Sequence, residues 1–136
     1  MAAVGLGIEA LRPLLASYEG RLAVAAINSP SSVTLSGDED AVTEAAARLQ
    51  KEGAFCRVMS VLVPYHSHHM DPIEADLLEA LDGLRLRPAT VPIVSEVTGD
   101  WAQGEDFTAL YWWRNIRQPV LFGDAVTRLA TEGYDT

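Results

Sequence analysis

The protein has 136 residues, of which 49% are hydrophobic and 21% are charged, so it can bury a core of ordinary size. Its formal net charge is −9, and this acidic excess excludes a typical nucleic-acid-binding domain, which carries a basic surface. It contains no apolar run long enough to span a bilayer, no secretion signal, and a single cysteine, Cys56, so we expect a cytoplasmic protein without membrane segments.

The first 64 residues alternate between strand and helix patterns. Apolar residues recur at helical spacing over residues 8–18 and again over 39–52, where Asp38 is expected to cap the helix. Short apolar segments predict four strands, at residues 2–6, 22–27, 33–36 and 55–63. The order β-α-β-β-α-β predicts a ferredoxin-like unit over residues 1–64, with both helices on one face of a four-stranded antiparallel sheet.

The pattern changes over residues 65–136. The polar segment from His66 to His69 is expected to lie in a loop. The segments after it predict helices near residues 73–81, 107–114 and 122–129, and one strand at 91–97. A single strand cannot form a sheet alone, so we expect this part to belong to a larger α/β layer and assign the chain to the α+β class.

All three histidines fall within four positions of the chain: His66, His68 and His69. The residues alone leave three interpretations open. The segment is a polar surface loop; or His66 and His69 bind a metal together with Asp71 or Glu74; or one imidazole acts as a general base, because histidine titrates near neutral pH. No cysteine or further histidine group accompanies the metal interpretation.

Four longer segments occur in order along the chain: VAAINSPSSVTLSGD, VPYHSHHMDPI, VPIVSEVTGD and YWWRNIRQPVLFGDAV. Together they resemble the acyltransferase domain of type I polyketide synthases, and more loosely the malonyl-CoA:carrier-protein transacylases. The resemblance runs from Met1 to Thr136. The wording Val63-Pro64 before Tyr65 is similar to that of iterative polyketide synthases, including enediyne types.

The resemblance implies an activity and a set of partners. In this family a serine in a Gly-His-Ser-x-Gly turn attacks an acyl-CoA thioester, and the acyl group passes to the phosphopantetheine thiol of an acyl carrier protein. Acyl-CoA, the carrier protein and the other domains of a synthase are therefore the expected partners, and no bound cofactor, metal, nucleic acid or membrane is expected. Residues 65–136 would be the C-terminal part of an α/β-hydrolase-like acyltransferase subdomain.

The resemblance also assigns roles to three residues. His66, in the segment Pro64-Tyr65-His66-Ser67, matches the family's general base. A backbone carbonyl orients that histidine, and alignment on the QPVLF segment gives this carbonyl to Asn115. Tyr65 matches the selectivity position, where a bulky aromatic residue resembles the malonyl type.

The nucleophile of the family has no counterpart in this sequence. None of the serines lies in a Gly-x-Ser-x-Gly turn, so the sequence reads as a piece of a longer acyltransferase domain and is expected to be inactive alone. Two further functions remain open at this point. One is a non-catalytic ferredoxin-like module that docks a carrier protein, and the other is a small metal-binding protein.

Overall fold

A computed structural model describes residues 1–134, which form a mixed α/β structure. The strands β1 to β6 span Ala2–Val4, Leu22–Ser29, Ser32–Gly37, Cys56–Val58, Ile93–Ser95 and Asp100–Ala102. The helices α1 to α5 span Ile8–Ala16, Glu39–Lys51, Glu74–Ala80, Ala109–Arg117 and Phe122–Thr131. Short 3₁₀ helices span His68–Ile73 and Gly104–Asp106. None of the helices in this part of the chain is long and apolar enough to cross a membrane.

The strands β1 to β4 form one sheet in the order β2-β3-β1-β4, and every neighbouring pair is antiparallel. The elements β1, α1, β2, β3, α2 and β4 follow one another as the sequence pattern predicts. The alternation of buried residues sets the register, because Ala2 lies opposite Leu35 and Val4 lies opposite Val33. All four of these side chains are almost fully buried and share one face of the sheet.

Both α1 and α2 cover that buried face. Leu11 and Leu14 of α1 belong to the same buried cluster as the strand residues. The cluster also includes the apolar stripe of α2, namely Ala41, Val42, Ala45, Ala46 and Leu49. The prediction of two helices on one face of a four-stranded antiparallel sheet is therefore met by the packing.

The fourth strand is much shorter than predicted. The apolar run at residues 55–63 indicated one long strand, but β4 ends at Val58. Its partner β1 has only three residues, and the last backbone bond of the pair runs from the Met59 N–H to the Met1 carbonyl oxygen at 2.8 Å. Beyond that point the backbone has no partner strand within residues 1–134, and Leu62 is fully exposed.

The second half contains a strand that the sequence pattern missed. β5 pairs antiparallel with β6, so this part holds a two-stranded hairpin instead of a single strand. β6 covers only Asp100-Trp101-Ala102 and directly follows Gly99, which adopts a φ of +71°. Three residues that start with a charged side chain give too weak an alternation to be recognised.

The segment between α4 and α5 joins the second half to the first sheet. Val120 forms a parallel bridge with Ala26 of β2. Its N–H donates to the Ala25 carbonyl at 2.9 Å, and its carbonyl accepts from the Ile27 N–H at 2.8 Å. This contact fixes the end of α4 relative to β2. The division into units 1–64 and 65–136 remains a prediction, and residues 135 and 136 lie outside the described part.

Candidate functional site

His66 lies in the turn between β4 and the first 3₁₀ helix, in a left-handed backbone conformation with a φ of +60°. A residue with a Cβ atom pays about 1–2 kcal/mol for this conformation. The His66 N–H donates to the Ile116 carbonyl in the last turn of α4, at 2.9 Å. The last carbonyls of a helix lack partners within it, so α4 can accept this bond.

Ser67 holds the same turn from inside. Its side chain is completely buried, and its hydroxyl donates to the Pro64 carbonyl at 2.6 Å. Its own carbonyl accepts from the Met70 N–H at 3.0 Å, which begins the 3₁₀ helix. These bonds close the backbone on both sides of His66 and offset the cost of its conformation.

The imidazole of His66 is oriented by a backbone carbonyl. Its Nδ1 lies 2.7 Å from the carbonyl oxygen of Gln118. A carbonyl oxygen only accepts hydrogen bonds, so Nδ1 must carry the proton. In the neutral ring the lone pair is then on Nε2, which is the arrangement a general base needs.

The sequence analysis assigned that carbonyl to Asn115, and the structure places it on Gln118. Asn115 lies inside α4, where carbonyls point along the helix axis. Gln118 follows the helix in an extended conformation, with φ −87° and ψ 161°, so its carbonyl turns away from the axis. The orienting group is thus a backbone carbonyl, but it lies three residues further along the chain.

Tyr65 precedes His66 and has an exposed side chain, with 46% of its surface accessible. The centroids of the two rings lie 6.4 Å apart, with 52° between the ring planes. The selectivity candidate and the base candidate are therefore neighbours in space as well as in sequence. The exposed ring is available to a ligand.

The three histidines do not form one cluster. His68 and His69 both direct Nε2 at the same carboxylate oxygen, Oδ1 of Asp38, at 3.1 and 2.9 Å. Asp71, a metal-ligand candidate beside His66 in the sequence analysis, pairs instead with Arg117 of α4. The expected polar loop is thus a turn at His66 followed by a 3₁₀ helix that carries His68 and His69.

Among residues 1–134, Asp38, His68 and His69 have the geometry to hold a metal, since their ligand atoms lie within 4.8 Å of one another. Two contacts oppose that use. The Arg21 guanidinium occupies Oδ2 of Asp38 at 2.9 Å, which places a positive charge beside the site. Nδ1 of His68 is buried without a partner among the described residues, whereas metal-bound imidazoles normally donate from their second nitrogen.

Asp38 is the residue whose role the sequence pattern missed. It occupies the N-cap position of α2, as predicted, but its side chain makes no capping hydrogen bond. The carboxylate contacts Arg21, His68 and His69 instead. The hydrogen bond from Arg21 is the main cause that lowers the pKa of Asp38, with a smaller contribution from His69.

Comparison with known proteins gives consistent matches over the whole chain. The sequence profile of the family described as "Acyl transferase domain" matches residues 1–136. Polyketide synthase GfsA of Streptomyces halstedii is 42% identical over 134 residues, which cover 98% of this chain and 2% of GfsA. The acyltransferase domain from module 8 of the salinomycin polyketide synthase is 36% identical, with a TM-score of 0.93 over 97% of this chain and 31% of that chain.

A match also occurs to the acyltransferase domain of an iterative polyketide synthase in enediyne biosynthesis. It is 26% identical, with a TM-score of 0.81 over 93% of this chain and 33% of that chain. The chain thus spans about a third of these solved domains. Because a numbered module and an iterative synthase both match, the resemblance to iterative and enediyne types stays a prediction.

Proposed function

The chain belongs to the acyl transferase domain family of polyketide synthases, and on that premise we propose that it supplies the general base for malonyl transfer. The donor is malonyl-CoA, and the acceptor is the phosphopantetheine thiol of an acyl carrier protein. The observation that carries the proposal is the His66 imidazole, whose Nδ1 is held 2.7 Å from the Gln118 carbonyl. That contact leaves Nε2 to take a proton.

In the proposed reaction, Nε2 of His66 removes the proton from a serine hydroxyl contributed by another part of the domain. The serine oxygen attacks the thioester carbonyl, so a C–O bond forms and the C–S bond to coenzyme A breaks. The proton on Nε2 passes to the departing sulfur. In the second half-reaction the phosphopantetheine thiol gives its proton to Nε2 and attacks the acyl-serine, and the serine oxygen leaves and recovers the proton.

The surroundings of His66 suit a base that becomes positively charged. When Nε2 is protonated, Nδ1 still donates to the Gln118 carbonyl, and that bond strengthens because its donor is now charged. The C-terminal end of α4 carries the negative end of the helix dipole beside the ring. We propose no resident metal or cofactor, since this arrangement supplies proton transfer from side chain and backbone alone.

Tyr65 is the proposed selectivity residue. Its ring lies beside that of His66 and is exposed, so a substrate at Nε2 of His66 would lie close to it. A bulky ring leaves room for malonyl and crowds the extra methyl group of methylmalonyl. One methyl group in a pocket changes discrimination by about 1–3 kcal/mol.

Further parts of the proposal concern the frame of the site. We assign residues 1–64 to a ferredoxin-like unit and residues 65–136 to part of an α/β-hydrolase-like unit. The strand order β2-β3-β1-β4 and the two helices on one face support the first assignment.

The free, buried Cys56 is consistent with the reducing cytoplasm that we propose as the compartment. Residues 1–136 by themselves are expected to be inactive, because they contain no Gly-x-Ser-x-Gly turn.

The base is tested by His66→Ala in an acyltransferase domain that contains this sequence. A general base contributes about 10²–10⁴-fold to a rate, so we expect acylation by malonyl-CoA to fall by that factor while circular dichroism stays unchanged. Burst-phase formation of the acyl-enzyme measures the step directly. Acylation within a factor of three of the unmodified domain would show that His66 is not the base.

The selectivity proposal is tested by Tyr65→Ser in the same domain, with malonyl-CoA and methylmalonyl-CoA in competition. We expect the ratio of kcat/KM values to shift by about tenfold or more toward methylmalonyl-CoA. Tyr65→Phe is the matched control, since it keeps the bulk of the ring and should keep the malonyl preference. An unchanged ratio in Tyr65→Ser would move selectivity to a different residue.

A further inference from the structure

The segment from Pro64 to Ile73 is held from two sides. On one side it is attached to α4, through the His66 bonds to Ile116 and Gln118 and through the pair between Asp71 and Arg117. On the other side it is attached to the start of α2, through the hydrogen bond between His69 and Asp38 and the close approach of His68 to the same carboxylate. His66 therefore lies between two anchors that belong to different parts of the fold.

The second anchor is built around one carboxylate. Oδ1 of Asp38 only accepts, so Nε2 of His69, which is hydrogen-bonded to it at 2.9 Å, must carry a proton. Nε2 of His68 approaches the same oxygen to 3.1 Å without forming a hydrogen bond. Oδ2 of Asp38 is held by Arg21, the residue directly before β2, and Arg21 also pairs with Asp40. Arg21 thus holds the Asp38 carboxylate beside the first sheet, and the two imidazoles contact the same carboxylate.

We propose that Asp38 is a positioning residue for His66 and acts through His68 and His69. This inference rests on the proposed function, in which His66 is the base. His68 is two residues from His66 and starts the 3₁₀ helix, so a shift at His68 reaches His66 along the backbone. His66 has a strained φ of +60° and relaxes unless both sides of its turn are held.

The N-cap geometry supports this role independently. Aspartate at an N-cap normally uses its carboxylate to accept from the backbone of the helix it begins. Asp38 makes no such bond, and its side chain turns toward the histidine segment. If Asp38 only stabilised α2, its carboxylate would accept from the free N–H groups at the start of that helix. It contacts two imidazoles of another segment instead.

The kinetic test is Asp38→Ala in an acyltransferase domain that contains this sequence. Misplacement of a catalytic group lowers the rate of the chemical step, so we expect kcat for acylation to fall by about tenfold while KM changes by less than about twofold. Asp40→Ala is the matched control. This substitution removes a carboxylate that lies in the same helix turn and pairs with the same Arg21, yet Asp40 contacts neither histidine. It should change kcat by less than about twofold.

The spectroscopic test uses the 136-residue chain, with ¹⁵N-labelled histidine and two-bond ¹H–¹⁵N spectra at a pH where the rings are neutral. We expect the Nδ1–H tautomer for His66 and the Nε2–H tautomer for His69. Asp38→Ala should mix the tautomers of His69 and change the ¹⁵N shifts of His66, whereas Asp40→Ala should alter neither. A change confined to His68 and His69 would overturn the positioning role.

Two further variants separate the possible failures. If His66→Ala leaves acylation intact, the base assignment fails and the positioning inference fails with it. If His66→Ala abolishes acylation but Asp38→Ala leaves both kcat and the His66 signals unchanged, only the positioning inference is wrong. Should Asp38→Ala not fold, the double variant His68→Ala, His69→Ala tests the same contact, and a normal kcat in that variant would equally overturn the inference.

Discussion

Residues 2–58 and residues 59–134 hold themselves together in different ways. The first region buries one continuous apolar cluster between its sheet and the helices α1 and α2. In the described part of the second region, the buried apolar side chains are Met70, Ala102, Trp113 and Ala125, which are spread over four elements. The comparison separates two tasks. Because it contains most of the buried apolar side chains, we expect the first region to supply most of the folding free energy. The second holds the candidate site through hydrogen bonds and its contacts with the first.

The largest expected effect comes from the core of the first region. Leu35→Ala removes a side chain that is 1% exposed at the centre of the sheet. Such a substitution costs about 2–5 kcal/mol of the free energy of unfolding, because it loses burial and leaves a cavity. Chemical denaturation with far-UV circular dichroism measures this loss. A cost below about 1 kcal/mol would contradict the assignment of stability to the first region.

A smaller and more local effect is expected for Trp113→Ala. Trp113 lies on α4, which packs against α3 and the 3₁₀ helix of the histidine segment. We expect the free energy of local opening of α4 to fall by about 1–3 kcal/mol. Hydrogen exchange should show faster exchange in α4 and at the His66 N–H, with the amides of β1 and β3 unchanged. Equal acceleration in both regions would show that they unfold as one unit.

The backbone conformation of His66 contributes to the stability of the second region. Glycine adopts a φ of +60° without steric cost, whereas alanine does not. We therefore expect the His66→Gly chain to be more stable than the His66→Ala chain by about 1 kcal/mol, although both lack the imidazole. Thermal unfolding of the two variants measures the difference. Equal stabilities would mean that the turn does not impose this conformation.

The smallest effect concerns the exposed charges where the two regions meet. Hydrogen bonds from Arg21 lower the pKa values of Asp38 and Asp40 below the ordinary value. A lowered folded-state pKa stabilises the protein above the unfolded pKa of about 3.9, and this stability is lost as the pH falls through the lower folded value. The midpoint of thermal unfolding should therefore drop below about pH 4. Arg21→Gln should weaken this drop, whereas Arg85→Gln, with the same charge change at an arginine that pairs with no carboxylate among residues 1–134, should preserve it.

The sequence predicted the first region better than the second because its elements repeat simple periods. Leu11 belongs to the apolar helical pattern of α1, and Val42 and Leu49 belong to that of α2. Each of the three is buried. The predicted β4 was too long because the apolar pattern does not show where the partner strand ends. Val61 and Leu62 are apolar, but β1 is too short to pair with them. Strand length depends on the partner, which local sequence does not reveal.

The candidate site was predicted in part and for a different reason. His66 and Tyr65 follow from a resemblance in short segments, and their roles remain proposals. The orienting carbonyl belongs to Gln118 instead of Asn115, because the chain leaves the helix between them and changes direction. The contact of Asp38 with His68 and His69 joins residues about 30 positions apart in the sequence. The spacing of these residues therefore does not predict the contact.

The contact of Val120 with β2 affects how readily the protein aggregates. β2 is the outer strand of its sheet, and an outer strand with free N–H and C=O groups is a template on which another copy can add a strand and begin to aggregate. Val120 takes the hydrogen bonds of Ala25 and Ile27 at the middle of that strand. Three residues later, Gly123 lies so close to the Asn28 carbonyl that an added Cβ would approach to 3.2 Å. The link between α4 and α5 therefore also closes a growth point for fibrils, and loosening it should reduce solubility before it reduces any activity.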